Sequence, residues 1–257
     1  MDVSSNNPFD EFFEEDKYVL LKNYLYNYLL RKQAVEKNIR GKSSGIILEV
    51  GSGLSPMVTD SDIIVYSELS LSGLQTLKHR HGKGWYVVAD AACLPFRSNA
   101  FTHAVCSEVL EHIENDHTAL KELARVLESS GQLVITFPHR KFYFARDDHF
   151  VHHFRRYELD EMVDYLQAVG LRPVCVKKVL GPVDKLMMWV AVSCFSLREK
   201  HKSSETSVIR RSSLSATLAY FFKVANQIFA GIAWIDARIM PRSLASILLI
   251  KASKGQE

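Results

Sequence analysis

The stretch Ile46-Ile47-Leu48-Glu49-Val50-Gly51-Ser52-Gly53 constrains the fold of this chain more than any other. An apolar run that ends in an acid and two close glycines is how a buried parallel strand hands over to a ligand-cradling turn. Glycine lets the backbone approach a ligand where a Cβ would collide, and the acid stands at the carboxyl end of the strand, where open α/β sheets bind ligands. An ordinary strand terminus carries the same local signal, so the downstream segments have to decide between the two.

Two further apolar runs end in the same way. Ile63-Ile64-Val65-Tyr66 leads into Ser67-Glu68-Leu69-Ser70, which puts Glu68 about twenty residues after Glu49, the spacing of a ribose-binding acid. A carboxylate at that strand tip can accept both ribose hydroxyls; a solvated strand-end glutamate is the alternative. Trp85-Tyr86-Val87-Val88-Ala89 closes on Asp90-Ala91-Ala92-Cys93-Leu94-Pro95-Phe96, an acid followed by an apolar loop that suits an adenine amino group and its faces.

Three more blocks come next in order: Phe101-Thr102-His103-Ala104-Val105-Cys106-Ser107-Glu108-Val109-Leu110-Glu111-His112-Ile113, Leu120 to Leu127, and Gly131 to Pro138. From roughly Gly45 to Leu180 the chain resembles the class I S-adenosylmethionine-dependent methyltransferases, in particular the type 11 group that includes the ubiquinone and menaquinone C-methyltransferases. The resemblance implies a Rossmann-like seven-stranded α/β sheet and S-adenosyl-L-methionine as cofactor. By the same resemblance Glu49, Gly51 and Gly53 line the methionine and ribose part of the cofactor. Glu68 and Leu69 take the ribose, Asp90 and Ala91 the adenine, and Ser107 the rim near the methionyl end. The chain departs from the family where a third glycine is usual: Ser55 and Pro56 stand there, and only nine residues separate Gly53 from Ile63. A single turn or an irregular loop starting near Pro56 is expected in place of the usual first helix.

The flanks set the organisation. Residues 1–44 form an N-terminal helical segment, with Phe12, Phe13, Tyr18, Leu21, Leu25, Tyr28 and Leu29 at helical spacing and Gly41 to Ser44 as linker. Residues 45–182 form the core and 244–257 its final strand and tail. Between them, 183–243 is a helical insertion before the last strand. It holds the apolar run Leu186 to Leu197, a basic segment Arg198 to Arg211, and a helical pattern with Leu218, Phe221, Phe222, Ala225, Ile228, Phe229, Ile232, Ile235 and Ile239 on one face. A lid or dimer surface packed on the sheet and a membrane-surface element both fit this pattern. Neither run reaches the length of about 20 residues that spans a bilayer.

Net charge is +3, which gives no strong nucleic-acid signal. Cys93, Cys106, Cys175 and Cys194 form no CxxC pair, and the acidic N-terminus does not read as a leader, so a cytoplasmic protein, soluble or peripheral to a membrane, is expected. Within the core, Asn115 or Asp116 should cap a helix over Leu120 to Leu127 that ends at Gly131, and Glu158 to Ala168 should form another ending at Gly170.

The loop after the strand Leu133 to Phe137 leaves a strand's carboxyl end, where an acceptor should sit. His112, His139 and His149 are the candidate general bases for an acceptor proton. His149 or His153 could also bind the acceptor, while Arg155, Arg156 and Tyr157 could anchor the loop onto the next helix. No metal site is expected, because the histidine-rich spacing of Asp147, Asp148, His149, His152 and His153 lacks a separate ligand cluster. The function read from these residues is methyl transfer to a small-molecule or lipid-linked acceptor. A methyltransferase-like scaffold protein without turnover is the alternative, kept alive by Ser55, Pro56 and the short first loop.

Overall fold

The computed structural model describes residues 23–39, 45–61, 63–189 and 216–255. The expectations for Phe12 to Leu21, the Gly41 to Ser44 linker, Cys194 and the basic segment 198–211 lie outside those residues. Seven strands form one sheet: β1 (Ile47–Val50), β2 (Ile64–Glu68), β3 (Trp85–Val88), β4 (Phe101–Ser107), β5 (Leu127–Pro138), β6 (Leu171–Leu180) and β7 (Ile247–Lys254). Their order is β3-β2-β1-β4-β5-β7-β6. β1 to β5 pair in parallel and β7 runs antiparallel to both β5 and β6. The order reverses between β1 and β4, which opens a crevice at their carboxyl ends. The central strands are buried on both faces, so they read as continuous apolar runs rather than alternating ones.

Helices α1 (Tyr26–Ile39), α2 (Leu71–His81), α3 (Asp116–Val126), α4 (Arg146–Phe150), α5 (Leu159–Ala168) and α6 (Ala216–Ile239) cover the sheet, with a further helical stretch over 182–189. Leu120 and Leu123 of α3 and Met162 and Leu166 of α5 share one core with Leu133 and Ile135 of β5. Tyr26 and Val35 of α1, Leu74 and Leu77 of α2 and Ala233 of α6 share a second with Val105, Val134 and Leu249.

One expectation is corrected. Asn115 does cap α3, but the helix ends at Val126 rather than running toward Gly131. Leu127 is fully buried and pairs with Phe101, so sheet formation takes it from the helix; the next pair is His103 with Gln132, and Ser130, at φ 65°, lies in the resulting bulge with Gly131. In α6 the apolar stripe faces outward: Phe221, Ile228, Ile232, Ile235 and Ile239 are exposed, while Asn226, Ala233, Asp236 and Ala237 are buried. Close docking against α1 and β6 selects alanines and hydrogen bonds. Asn226 Oδ1 accepts from Tyr26 N at 3.2 Å, and Asp236 Oδ2 accepts from Val183 N at 3.0 Å. Among the described residues no helix is long and apolar enough to cross a membrane.

Candidate functional site

The crevice begins where β1 ends. Gly51 and Gly53 adopt φ 69° and 53°, the left-handed region, and Gly51 N donates to Ser67 O at 2.8 Å, joining the tips of β1 and β2. A Cβ on Gly51 would lie 2.3 Å from Val109 Cγ2, whereas one on Gly82, at φ 68°, would meet nothing within 4 Å. Gly82→Ala is therefore expected to cost about 1–2 kcal/mol, the left-handed penalty alone. Gly51→Ala adds a collision and should lower stability by roughly a further 1–3 kcal/mol. Equal shifts in urea midpoint for the two variants would remove the packing role of Gly51.

Residues 54–61 form no helix, in agreement with the short spacing, yet they are tied on several sides. Glu49 accepts from Met57 N at 2.6 Å and Val58 N at 3.0 Å. Tyr28 OH donates to Pro56 O at 2.9 Å, and Lys32 Nζ donates to Met57 O at 3.1 Å and Thr59 Oγ1 at 3.0 Å. Tyr66 OH donates to Val58 O at 2.7 Å. Side chains from α1, β1 and β2 thus hold a loop that a helix would otherwise hold through its own ladder. Glu49 is 2% exposed and its carboxylate is turned onto this loop. Its burial pushes the carboxyl up to about 7, against the opposing pull of the two amides and Lys32.

Glu68 stands at the tip of β2, where Oε2 accepts from Gly53 N at 2.8 Å and Oε1 from Leu69 N at 2.8 Å and Ser70 N at 3.3 Å. The Leu69 side chain is exposed. Asp90, also exposed, accepts from Ala92 N at 2.8 Å, while Ala91 and Leu94 are buried beneath its loop. Ser107 Oγ lies 2.8 Å from Thr136 Oγ1, which in turn donates to Glu108 Oε1 at 3.1 Å, a polar line across the tips of β4 and β5.

These residues fit S-adenosylmethionine. The glycine turn, the Glu68 carboxylate and the Asp90 loop stand at three successive strand tips. Between them the hydroxyls of Ser52, Ser55 and Ser67 are buried without a hydrogen-bond partner, which is costly unless a ligand supplies one.

The three candidate bases separate. His139 is buried with Nδ1 2.9 Å from Ala245 O, and burial lowers its pKa; it ties the end of β5 to the entry of β7. His149 is exposed on α4 with its ring against Phe144. His112, in the 3-10 turn Leu110–His112 after β4, stands beside another histidine: its ring centroid lies 4.7 Å from that of His153. The centre of the loop is Asp148, which sequence spacing alone does not single out. It accepts from Arg156 Nε at 2.7 Å, Ala145 N at 2.9 Å and Lys185 Nζ at 2.6 Å, and pairs with His153 Nδ1 at 3.0 Å. Burial raises its carboxyl, but His153, Arg156 and Lys185 together hold it well below the usual range.

Arg155 and Tyr157 both reach Asp116 Oδ2, at 3.1 and 2.7 Å, so these two residues tie the loop's end back onto the start of α3, while Arg140 and Lys141 at its beginning bond Glu158 and Glu161 at the start of α5. A cleft of about 340 Å³ opens beside it, walled by Phe142, Tyr143, Leu186 and Trp189, with Asp147 and Lys185 at its polar side. Both lining segments come after carboxyl ends, those of β5 and β6.

Residues 48–135 match the methyltransferase domain family. An uncharacterized protein of Methanocaldococcus jannaschii is 29% identical over 133 residues, 49% of this chain and 57% of that protein. The demethylmenaquinone methyltransferase of Streptomyces griseus is 29% identical over 110 residues, 41% of this chain and 48% of that enzyme. The chain thus spans about half the length of these two curated relatives. An S-adenosylmethionine-dependent methyltransferase of Thermotoga maritima superposes with TM-score 0.58 at 17% identity, covering 96% of this chain and 95% of that one. Phosphoethanolamine N-methyltransferase 2 of Haemonchus contortus, solved in complex with S-adenosylmethionine, gives TM-score 0.55 at 16% identity over 88% of this chain and 52% of that one. The seven-stranded Rossmann-like sheet is thus the fold of solved S-adenosylmethionine-dependent methyltransferases, and within it residues 48–135 match the methyltransferase domain family.

Proposed function

We propose that this chain transfers a methyl group from S-adenosylmethionine to a small-molecule or lipid-linked acceptor held beside the loop that leaves β5. The observation that carries the reading is the convergence of the glycine turn, Glu68 and Asp90 on one crevice together with the unpartnered hydroxyls of Ser52, Ser55 and Ser67. When bound, the cofactor supplies an electrophilic methyl on a sulfonium sulfur. The chain's residues then have to bind, orient and exclude water, since positioning supplies most of the rate in such a displacement. Glu68 is placed to take a ribose diol and the Asp90 loop to take the adenine. The aromatic wall of the cleft at Phe142, Tyr143 and Trp189 suits an apolar body with a polar group directed toward Asp147 and Lys185. The outward apolar face of α6 supports the lipid-linked version of the acceptor, met at a membrane surface.

The scaffold reading loses its main support, because the loop that lacks a helix is held by Glu49, Tyr28, Lys32 and Tyr66. Calorimetric titration with S-adenosylmethionine and S-adenosylhomocysteine tests the proposal. Saturable one-to-one binding is expected, followed by transfer of labelled methyl into a small-molecule or lipid fraction. A flat titration at millimolar ligand would return the scaffold reading.

A further inference from the structure

We infer that Glu111, His112 and His153 form a site for one divalent first-row transition-metal ion, of the Mn²⁺ to Zn²⁺ class, beside the carboxyl end of β4. Their ligand atoms lie within 4.8 Å of one another. Glu111 is fully buried, and neither of its carboxylate oxygens has a hydrogen-bond partner from another residue. His153 Nε2 stands 3.8 Å from Glu111 Oε1, outside hydrogen-bonding distance. A buried carboxylate left in this state needs a proton or a cation.

The histidines are arranged for the cation. Nδ1 of His153 faces Asp148 Oδ1 at 3.0 Å, and Nδ1 of His112 faces the His152 carbonyl at 3.3 Å. Each oxygen only accepts, so in the neutral ring each Nδ1 carries the proton and each Nε2 carries the lone pair. This is the outer-sphere pattern that fixes the tautomer and orientation of metal-ligating histidines, with a carboxylate behind one and a carbonyl behind the other. Asp148 is itself fixed by Arg156 and Lys185, so the second sphere is rigid.

Two imidazoles and one carboxylate select zinc, manganese or cobalt over magnesium and calcium, which prefer all-oxygen sites. Metal–ligand bonds of about 2.0–2.2 Å bring ligand atoms to roughly 3.3 Å, a contraction that side-chain rotation supplies. Three protein ligands leave a position for water or an oxygen-bearing ligand, and half-buried His112 gives the ion a way in.

The test needs neither cofactor nor turnover. Full-length protein stripped with a chelator is titrated with Co²⁺, followed by its visible absorption, and then challenged with Zn²⁺. One equivalent of Co²⁺ should bind and be displaced by Zn²⁺. His153→Asn and Glu111→Gln should each weaken Co²⁺ by about 100-fold or more, since even outer-sphere partners are worth about 10–100-fold. His149→Asn, altered on the exposed side of α4, should bind like the parent. Circular dichroism checks that each variant is folded, and His153→Asn, the less buried change, carries the test if Glu111→Gln unfolds. Absence of saturable Co²⁺ binding, or parental affinity in folded His153→Asn, overturns the site. S-adenosylhomocysteine titration is read separately, so a failed metal site and a failed cofactor site give different results.

Discussion

Replacing Glu68 with alanine is expected to weaken S-adenosylhomocysteine binding about 100-fold, roughly 2.7 kcal/mol, while leaving the protein folded. Two losses add. The ribose diol loses a charged acceptor, and charged hydrogen bonds are the strong ones. The glycine turn loses its outer support as well, because Glu68 Oε2 holds Gly53 N at 2.8 Å. A carboxylate offers about four lone-pair sites and three are taken here by Gly53, Leu69 and Ser70 amides, so an incoming diol must share the Gly53 contact. Glu68→Gln keeps one oxygen acceptor and should lose only about tenfold, roughly 1.4 kcal/mol. Calorimetry on both variants, with urea unfolding to confirm that stability falls by less than binding, decides the matter. Parental affinity in Glu68→Ala would assign the ribose to other residues.

The sheet is legible in the sequence because its central strands are buried on both faces and so appear as uninterrupted apolar runs ending in acids or glycines. Such runs do not give the direction of a strand-tip side chain. Glu49 and Glu68 look alike in sequence, but Tyr28 and Lys32 on α1 bring the 56–59 loop over Glu49, and its carboxylate is used up on Met57 and Val58 amides. Periodicity in α6 locates the apolar face but does not say which side it is turned to. Burial there is decided by how closely the helix must approach Gly181, where a Cβ would come 2.3 Å from Asp236 Oδ2, and no count of apolar residues contains that distance.

The loop after β5 is recognisable as chemistry-facing, but its internal roles depend on partners remote in sequence. His139 is tied by Ala245, 106 positions away, and Asp148 by Lys185, 37 positions away. Local spacing makes His139, His149 and His153 look equivalent. Tertiary contacts place one as a strap, one on the surface and one beside a buried, unpartnered carboxylate. Glu111 itself carries a sequence signal: an acid directly before a histidine in a run otherwise apolar, Val109-Leu110-Glu111-His112-Ile113, has no solvent-facing reason to be buried.

Asp148→Ala is expected to cost about 3 kcal/mol of stability at neutral pH, the low end of the range for breaking a buried ion pair. The low end applies because the partners are not wholly stranded: Lys185 keeps Asp147 at 2.7 Å, and Arg156 keeps weaker contacts to the carbonyls of His139 and Ser246. Asp148→Asn should cost less, since it retains one acceptor for the Ala145 amide or Arg156. The pH dependence separates charge from packing. The folded-state pKa of Asp148 is depressed, so its contribution is fully present above the unfolded value of about 4 and is lost as pH falls through that value toward the folded one. Urea unfolding between pH 7 and pH 3 should therefore show parent and Asp148→Asn converging on the acidic side, with the gap widest at neutral pH. A gap that stays constant with pH would mean that Asp148 acts by shape and not by charge. Loss of Asp148 also frees Nδ1 of His153, so Co²⁺ affinity should fall in Asp148→Asn under conditions where the protein remains folded.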